Sequence, residues 1–329
     1  MKVEKFGMAQ SRHVIDEASR VGEARREAVR FAQLLGLSEE LAGRAGIVAT
    51  ELATNLVRHG EGGELLLQRL DVSGARLVEI VAMDRGPGMA DPARCLLDGY
   101  STAGSMGTGL GAVRRMAAEF DLYSCPGQGT IVLARVGLGA CARVGAVSVA
   151  VDGEIECGDT WSIAHLQGAT ALLVVDGLGH GVFAAQAAHA ARSAFERSPD
   201  QAPRELIDRL HRSLMGTRGA AAACARLMGT GELSYAGVGN IHGAILSGEG
   251  MRGLVSHNGT LGLRASRIQQ FEYARPAGAL LIMNSDGISS RWDLARRPGL
   301  LRCHPGVIAA LLYRDYVRRH DDATVVVLN

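Results

Sequence analysis

Residues 49–60 read ATELATNLVRHG, and this stretch decides how the first half of the chain is expected to fold. It closes a predicted helix that begins at Ser38, a good N-cap, and stops at Gly60, which we expect to adopt the left-handed conformation. Glu51 and Asn55 lie four residues apart and therefore share one face of that helix. Such a carboxylate can take a proton from a nucleophile, and an amide oxygen is a suitable Mg²⁺ ligand. The pair taken alone also fits two polar residues on a solvent face.

Two glycine-rich turns follow this helix. The first, DRGPGM at residues 84–89, comes directly after an apolar run. Asp84 can therefore accept a hydrogen bond from an adenine amino group, while Gly86 and Gly88 let the backbone approach the ring. An ordinary Asp-Gly turn is the alternative. The second turn, GSMGTGLG at residues 104–111, leads into a predicted helix, whose N–H groups and positive dipole end favour phosphate.

The helix and the two turns, in this order, resemble the N, G1 and G2 boxes of the GHKL ATP-binding fold, and most closely the RsbT-like serine/threonine kinases. The resemblance covers about residues 14–136. It implies ATP and Mg²⁺ as cofactors, with Asn55 as the Mg²⁺ ligand, Glu51 as the base for a substrate hydroxyl and Asp84 as the reader of adenine. The implied pocket and lid residues are Gly86, Gly88, Gly107, Gly109 and Gly111, with Ser105 and Thr108 able to touch phosphate.

Aspartates in the second half of the chain stand at the ends of apolar, strand-like runs. A strand can hold a carboxylate rigidly at its end, and several such ends give an oxygen-rich site for Mg²⁺ or Mn²⁺. Two such ions can hold a hydroxide that attacks a phosphate ester. No His or Cys spacing indicates zinc. The aspartates are Asp159 in CGDTW, Asp176 in LLVVDGLGHG, Asp286 in LIMNSDGIS, and Asp321 with Asp322 in DDATVVVLN.

These motifs resemble the metal-dependent PPM phosphatases in their SpoIIE-like branch, which includes the RsbX-type enzymes. The resemblance implies two Mn²⁺ or Mg²⁺ ions held by Asp176, the Gly177 carbonyl, Asp286 and Asp321, with Asp159 assisting directly or through water. Asp322 is the alternative to Asp321. Leu178 stands where the larger family has a histidine after the Asp-Gly pair, so His180 becomes the candidate proton donor, and Arg218 a substitute for the family's phosphate-binding arginine.

Composition excludes several classes of partner. The 329 residues carry 35 basic and 34 acidic side chains, and a net charge of +1 does not indicate a nucleic-acid partner. No apolar run approaches the ~20 residues that span a bilayer, and residues 1–10 lack the apolar core of a signal peptide. The six scattered cysteines are typical of free thiols in a reducing compartment. We therefore expect a cytoplasmic protein that binds neither nucleic acid nor membrane.

The order of predicted elements indicates an α+β chain of two domains. Residues 1–137 are expected to form a GHKL (Bergerat) α/β sandwich with kinase activity. Residues 143–329 are expected to form a PPM-type β-sandwich flanked by helices. The boundary falls in VGLGACARVG, residues 136–145, a short Gly/Ala-rich connection.

Taken together, the two resemblances imply a partner-switching regulator with opposing activities. It would phosphorylate Ser or Thr of a STAS-domain antagonist protein with ATP and dephosphorylate the same or a related protein. The alternative is a nucleotide-gated binding module that sequesters a sigma-factor regulator or a phosphatase activator, fused to an active phosphatase. A third possibility is that the first half only regulates the phosphatase in cis.

Overall fold

The computed structural model describes residues 2–4, 10–72, 74–96, 109–139, 144–265, 267–294 and 297–329. These residues form two compact units. We call N-unit the described residues of Gln10–Ala142 and Leu294–Arg314, and C-unit those of Met1–Ala9, Arg143–Asp293 and Asp315–Asn329. No helix within these ranges is long and apolar enough to cross a membrane.

The described residues form runs of helices and runs of strands. In chain order they are β1 (Lys2–Glu4), β2 (Ser11–Ile15), α1 (Val21–Leu34), α2 (Glu39–His59), β3 (Gly63–Val72), β4 (Ala75–Met83), α3 (Pro92–Cys95), α4 (Leu110–Met116), β5 (Glu119–Ser124), β6 (Thr130–Leu138), β7 (Val144–Val149), β8 (Asp159–Leu166), β9 (Ala169–Gly177), α5 (Val182–Glu196), α6 (Pro203–Ser213), β10 (Ala220–Met228), β11 (Glu232–Val238), β12 (His242–Ser247), β13 (Gly250–Gly253), β14 (Phe271–Ala274), β15 (Leu280–Asn284), α7 (Pro305–Tyr316) and β16 (Ala323–Leu328).

The N-unit is built on one antiparallel sheet in the order β2-β3-β4-β6-β5, and helices α1, α2 and α4 pack on one of its faces. Side chains alternate between the faces of a strand, so Leu65, Leu67 and Ile80 point toward these helices. There they are buried in one core with Val48 and Leu52 of α2. This arrangement confirms the expected α/β sandwich.

Helix α2 begins as the sequence predicts but ends differently. The Ser38 hydroxyl oxygen accepts a hydrogen bond from the Leu41 N–H at 3.3 Å, which caps the first turn. The expectation of a left-handed Gly60 is wrong, because its φ is −93°, and it is Glu61 that has a positive φ of 58°. Glycine is required at position 60 for space, since a Cβ there would lie 2.7 Å from the Cβ of Asp84.

The opposite face of the N-unit sheet is covered by a helix from far along the chain. Leu66, Val81 and Leu133 lie on that face and are buried. Helix α7 lies against it, because a Cβ on Gly306 would be 2.5 Å from Leu133 Cδ1. The Tyr313 hydroxyl of α7 also donates to a Glu64 carboxylate oxygen at 3.0 Å. The sheet is therefore enclosed on both faces.

The C-unit contains two antiparallel sheets, in the orders β1-β8-β9-β10-β11-β14 and β13-β12-β15-β16-β7. They meet where β7 and β16 pack against β8. Helices α5 and α6 cover the first sheet, with Ala188, Phe195 and Leu210 buried against strand residues such as Leu173 and Val175. The expected β-sandwich with flanking helices is confirmed.

The two units are not consecutive stretches of sequence, which differs from the expected domains 1–137 and 143–329. β1 pairs with β8 and so belongs to the C-unit. Residues 294–314 belong to the N-unit. The physical reason lies in two contacts. Strand β1 adds an edge strand to a sheet of the C-unit, and the segment 294–314, which contains most of α7, covers an apolar face of the N-unit sheet.

Glycine-to-alanine substitutions in two helices test the position of α7. Gly306→Ala is expected to destabilise the protein by about 1–3 kcal/mol, because the new methyl group meets Leu133 in a filled core. Gly43→Ala in α2, where nothing lies within 4 Å, is the matched control and should stabilise by about 0.5–1 kcal/mol. Chemical denaturation measures both, and equal stabilisation by the two variants would contradict the packing of α7.

Candidate functional site

Asp84 of the N-unit stands directly after β4 in a half-buried position. Its Oδ1 accepts hydrogen bonds from the N–H groups of Gly86 at 2.9 Å and Thr130 at 3.1 Å. Burial raises the pKa of Asp84, and the two backbone bonds oppose that rise. Its second oxygen, Oδ2, makes neither bond. The carboxylate is thus fixed in orientation with an oxygen suited to accept from an amino group.

The backbone around Asp84 is packed so closely that only glycine fits at several positions. Gly88 has a φ of 67°, and a Cβ there would overlap the Cys125 carbonyl. A Cβ on Gly129 would overlap the carbonyl of Asp84 itself. A Cβ on Gly86 would lie 2.9 Å from the Gly60 Cα at the end of α2. The turn therefore forms a compact cradle directly beside that helix.

Glu51 and Asn55 lie on the face of α2 that turns away from the core, and both are partly exposed. Desolvation raises the pKa of Glu51, while the charge of Arg58, two turns further along the helix, opposes the rise. A raised carboxylate pKa suits a group that has to accept a proton. The end of this helix contacts Asp84 through Gly60, so the helix and the cradle belong to one region.

The glycine loop is described only in part. Gly109 precedes the first residue of α4, and Gly111 is buried within it. Helix α4 packs against α2, which brings the end of the loop beside the helix of Glu51 and Asn55. Ser105, Gly107 and Thr108 lie outside the described residues.

In the C-unit, Asp176 and Asp286 are brought together although 110 positions separate them in the sequence. The Asn240 side-chain amide donates to Asp286 Oδ2 at 2.6 Å and also hydrogen-bonds the Asp176 carboxylate. Burial raises the pKa of Asp176 to about 8, and the negative charges of Asp286, Asp321 and Asp322 add to the rise. The predicted acids therefore form one cluster of mutually repelling carboxylates.

Asp159 faces Asp176 across the β8–β9 pair and is buried. Its Oδ2 accepts a hydrogen bond from the Ser285 hydroxyl at 2.5 Å. Burial raises its pKa well above the usual range, and Asp176 adds to this effect. These bonds favour an assisting role, because the carboxylate already has protein donors.

The structure separates the roles of Asp321 and Asp322, which the sequence left open. Asp322 accepts hydrogen bonds at both oxygens, from the N–H groups of Val151 and Gly158, each at 2.8 Å. The Asp321 carboxylate accepts a hydrogen bond from the Asp322 N–H at 2.9 Å and is repelled by the negative charge of Asp286. Asp322 is therefore a structural clamp, and Asp321 is the better candidate for ligating a cation.

The donor set of this cluster fits Mg²⁺ or Mn²⁺, since it consists of carboxylate oxygens that repel one another. In the described ranges, however, no three or more His, Cys, Asp or Glu side chains are positioned closely enough to hold a metal ion. Ligation by Asp176, Asp286 and Asp321 thus stays a prediction. The Gly177 backbone is tightly constrained, because a Cβ there would overlap the Ala184 carbonyl.

His180 has a partner that sequence analysis missed. Its Nδ1 lies 2.7 Å from Oε1 of Glu154. Glu154 belongs to the loop whose two ends, Val151 and Gly158, are clamped by Asp322. A loop glutamate 26 positions away carries no motif, so no sequence signal could have found it. The pairing orients the imidazole and leaves Nε2 for proton transfer.

Arg218 also lies beside the loop that follows β9. Its guanidinium stacks over the Phe183 ring at 5.1 Å, and a Cβ on Gly179 would lie 3.3 Å from its Nη1. This position next to the loop from Asp176 to His180 suits a phosphate-binding cation.

Comparisons with known proteins find one family in each half of the sequence. Residues 15–136 match the histidine kinase-like ATPase domain family, and residues 167–329 match the stage II sporulation protein E (SpoIIE) family. Serine/threonine-protein kinase RsbT of Bacillus subtilis (strain 168) is 33% identical over 111 residues, which cover 34% of this chain and 84% of RsbT.

Two solved structures are each similar to part of this chain. One, described as "The bacterial stressosome: a modular system that has been adapted to control secondary messenger signaling", is 36% identical with a TM-score of 0.52, over 56% of this chain and 97% of its own. The crystal structure of RsbX in complex with magnesium is 21% identical with a TM-score of 0.49, over 55% and 92%.

The fold and these matches define a protein that joins a histidine kinase-like ATPase domain to a SpoIIE-like domain. Through its first half the chain belongs to the family of the serine/threonine-protein kinase RsbT, and residues 167–329 match the SpoIIE family.

Alanine substitutions separate the two adjacent aspartates. Asp322→Ala is expected to destabilise the protein in EDTA by about 1–3 kcal/mol, because two amide N–H groups lose their acceptors. Asp321→Ala should leave stability in EDTA unchanged or slightly higher, since it removes repulsion with Asp286, but it should abolish stabilisation by Mn²⁺. Thermal unfolding with and without Mn²⁺ measures both effects. Wild-type stabilisation of Asp321→Ala by Mn²⁺ would contradict this assignment.

Proposed function

We propose that this chain is a bifunctional partner-switching regulator. Its N-unit phosphorylates a serine or threonine of a STAS-domain antagonist protein, and its C-unit removes phosphate from the same or a related protein. The observation that carries the proposal is that one chain holds both the Glu51–Asn55 helix beside the Asp84 cradle and the acid cluster around Asp176.

In the kinase reaction, the N-unit binds and orients ATP and the acceptor hydroxyl. Asp84 accepts from the adenine amino group, and the glycine cradle admits the ring. Asn55 holds Mg²⁺, which supplies charge neutralisation on the phosphates when bound. Glu51 takes the proton of the hydroxyl, and its raised pKa supports that role.

In the phosphatase reaction, Asp176, Asp286 and Asp321 hold two Mn²⁺ or Mg²⁺ ions together with the Gly177 carbonyl. The ions supply an activated water and neutralise phosphate charge when bound. Asn240 fixes Asp176 and Asp286 relative to each other, and Asp159 assists from its bond to Ser285. Arg218 binds phosphate, and His180, oriented by Glu154, donates a proton to the leaving oxygen.

The relatives support the proposed partner. RsbT is a serine/threonine-protein kinase by its name, and the 36%-identical structure is described as part of the stressosome. The opposing enzymes RsbT and RsbX resemble the two halves of this chain, which supports a shared STAS-domain substrate. A sigma-factor regulator or a phosphatase activator is the further partner of such a switch.

Phosphotransfer is the first test. An Asp176→Asn protein, which is expected not to reverse the reaction, is incubated with Mg-ATP and a purified STAS-domain protein. Transfer is expected, and Glu51→Gln in the same background should lower its rate by about 10²–10⁴-fold. Glu40→Gln, an exposed acid in the first turn of α2, is the control. Nucleotide-dependent binding that survives Glu51→Gln, without any transfer, would instead identify the N-unit as a binding module.

Metal dependence is the second test. The wild type is expected to hydrolyse a phosphoserine peptide with Mn²⁺ and to lose the activity in EDTA. Asp176→Asn and Asp286→Asn should each lower the rate by about 10³-fold, because each removes a charged ligand. The exposed Asp200→Asn is the control. Unchanged Mn²⁺-dependent hydrolysis by the Asp176→Asn, Asp286→Asn double variant would reject the metal site.

A further inference from the structure

Five large apolar side chains of the C-unit are exposed to solvent around the loop that follows β9. Each is between 52% and 61% exposed; Ile155, Met251 and Val255 are further exposed apolar side chains of the C-unit, in other segments of the chain. Contiguous apolar patches of this kind are typical of interaction surfaces. We call this set the apolar rim; it consists of Leu178, Val182, Phe183, Met215 and Leu263.

Backbone contacts join the members of the rim. The N–H of Leu178 donates to the Gly219 carbonyl at 3.0 Å, and a Cβ on Gly219 would lie 3.2 Å from Leu263 Cγ. A Cβ built on Gly262 would lie 2.8 Å from the Cβ of Leu214. Met215 directly follows Leu214 and Leu263 directly follows Gly262, so these two apolar residues lie in adjacent segments. The rim is therefore one surface formed by three separate segments of the chain.

Packing inside the C-unit does not account for this exposure. In α5 the buried positions are mostly small, such as Ala184, Ala187 and Ala188, whereas the larger Val182 and Phe183 face solvent. If the large side chains were buried and the small ones exposed, the helix would bury more apolar area, which stabilises a fold by about 25 cal/mol per Å². The exposed side chains are consistent with a surface that is covered by a partner.

The rim is continuous with the candidate phosphatase site and carries one cation. Leu178 lies between Gly177 and His180 of the candidate site. Arg218 stacks on Phe183 of the rim, next to Gly179. A ligand that covers the rim thus meets a guanidinium suited to a phosphate dianion.

We infer that the apolar rim is the docking surface for the phosphorylated partner, and that it selects a phosphoserine or phosphothreonine flanked by apolar side chains. This inference rests on the proposed phosphatase function and names the recognition chemistry of that site. Arg218 receives the phosphate, and the flanking apolar side chains cover Leu178, Phe183 and Leu263.

Two synthetic phosphoserine peptides test the inference, one with Leu and Val on both sides of the phosphoserine and one with Ser and Asn there. Binding of the fluorescein-labelled peptides to the Asp176→Asn protein is measured by anisotropy, so the result does not depend on turnover. The apolar peptide is expected to bind at least about tenfold more tightly than the polar one.

Rim variants then locate the preference. Met215→Ser with Leu263→Ser should reduce binding of the apolar peptide about tenfold and leave the polar peptide unchanged. Met251→Ser, which alters a half-exposed apolar residue of β13, is the matched control and should change neither. Equal binding of both peptides to the parent protein, or a preference that persists in the double variant, would overturn the inference. Hydrolysis of p-nitrophenyl phosphate by the wild type reports on the phosphatase function separately.

Discussion

Crowding of negative charge around Asp176 is the constraint on which the C-unit depends. Five carboxylates, from strand ends and loops far apart in sequence, lie so close together that their negative charges help burial to raise the pKa of Asp159, Asp176 and Asp321. Such a cluster is unfavourable by itself, so the fold has to hold it with neutral donors. Asn240 bridges two of the acids, Ser285 binds Asp159, and backbone amides bind Asp322. In the function proposed for the C-unit, a bound divalent cation would relieve the remaining repulsion and so link the stability of the unit to its chemistry.

Steric exclusion has the same organising role in the N-unit. The turn after β4 can form because glycines let three backbone segments pack directly against one another. These segments are the end of α2, the turn itself and the β5–β6 connection. Any side chain at Gly88 or Gly129 would push Asp84 away from its bonds with Gly86 and Thr130. The orientation of a single carboxylate therefore depends on residues with no side chain of their own.

Much of this architecture could be predicted because it depends on local patterns. The cap at Ser38, the strand before Asp84 and the acids at strand ends all follow from periodicity and from residue chemistry that a reader of the sequence can see. Contacts between distant segments could not be predicted. Glu154 meets His180 through an irregular loop, and the choice between Asp321 and Asp322 depends on which carboxylate the loop amides bind. The ending of α2 was misjudged because Gly60 serves close packing against Asp84 instead of a left-handed turn.

Contacts between distant segments also explain why the two units exchange segments of the chain, and this exchange has a physical consequence. Helix α7 reads as an ordinary buried helix of the second half, since almost every residue of Pro305–Arg314 is apolar or small. Its contacts nevertheless lie in the N-unit: His304 donates its N–H to Asp121, and Arg314 donates to the Asp84 carbonyl at 2.7 Å. A cut between residues 137 and 143 would leave one fragment with an uncovered apolar sheet face and the other with an apolar helix without its sheet. The chain is therefore divided by sequence motifs into two domains, but it is stabilised as units that each need a segment from the other side of that boundary.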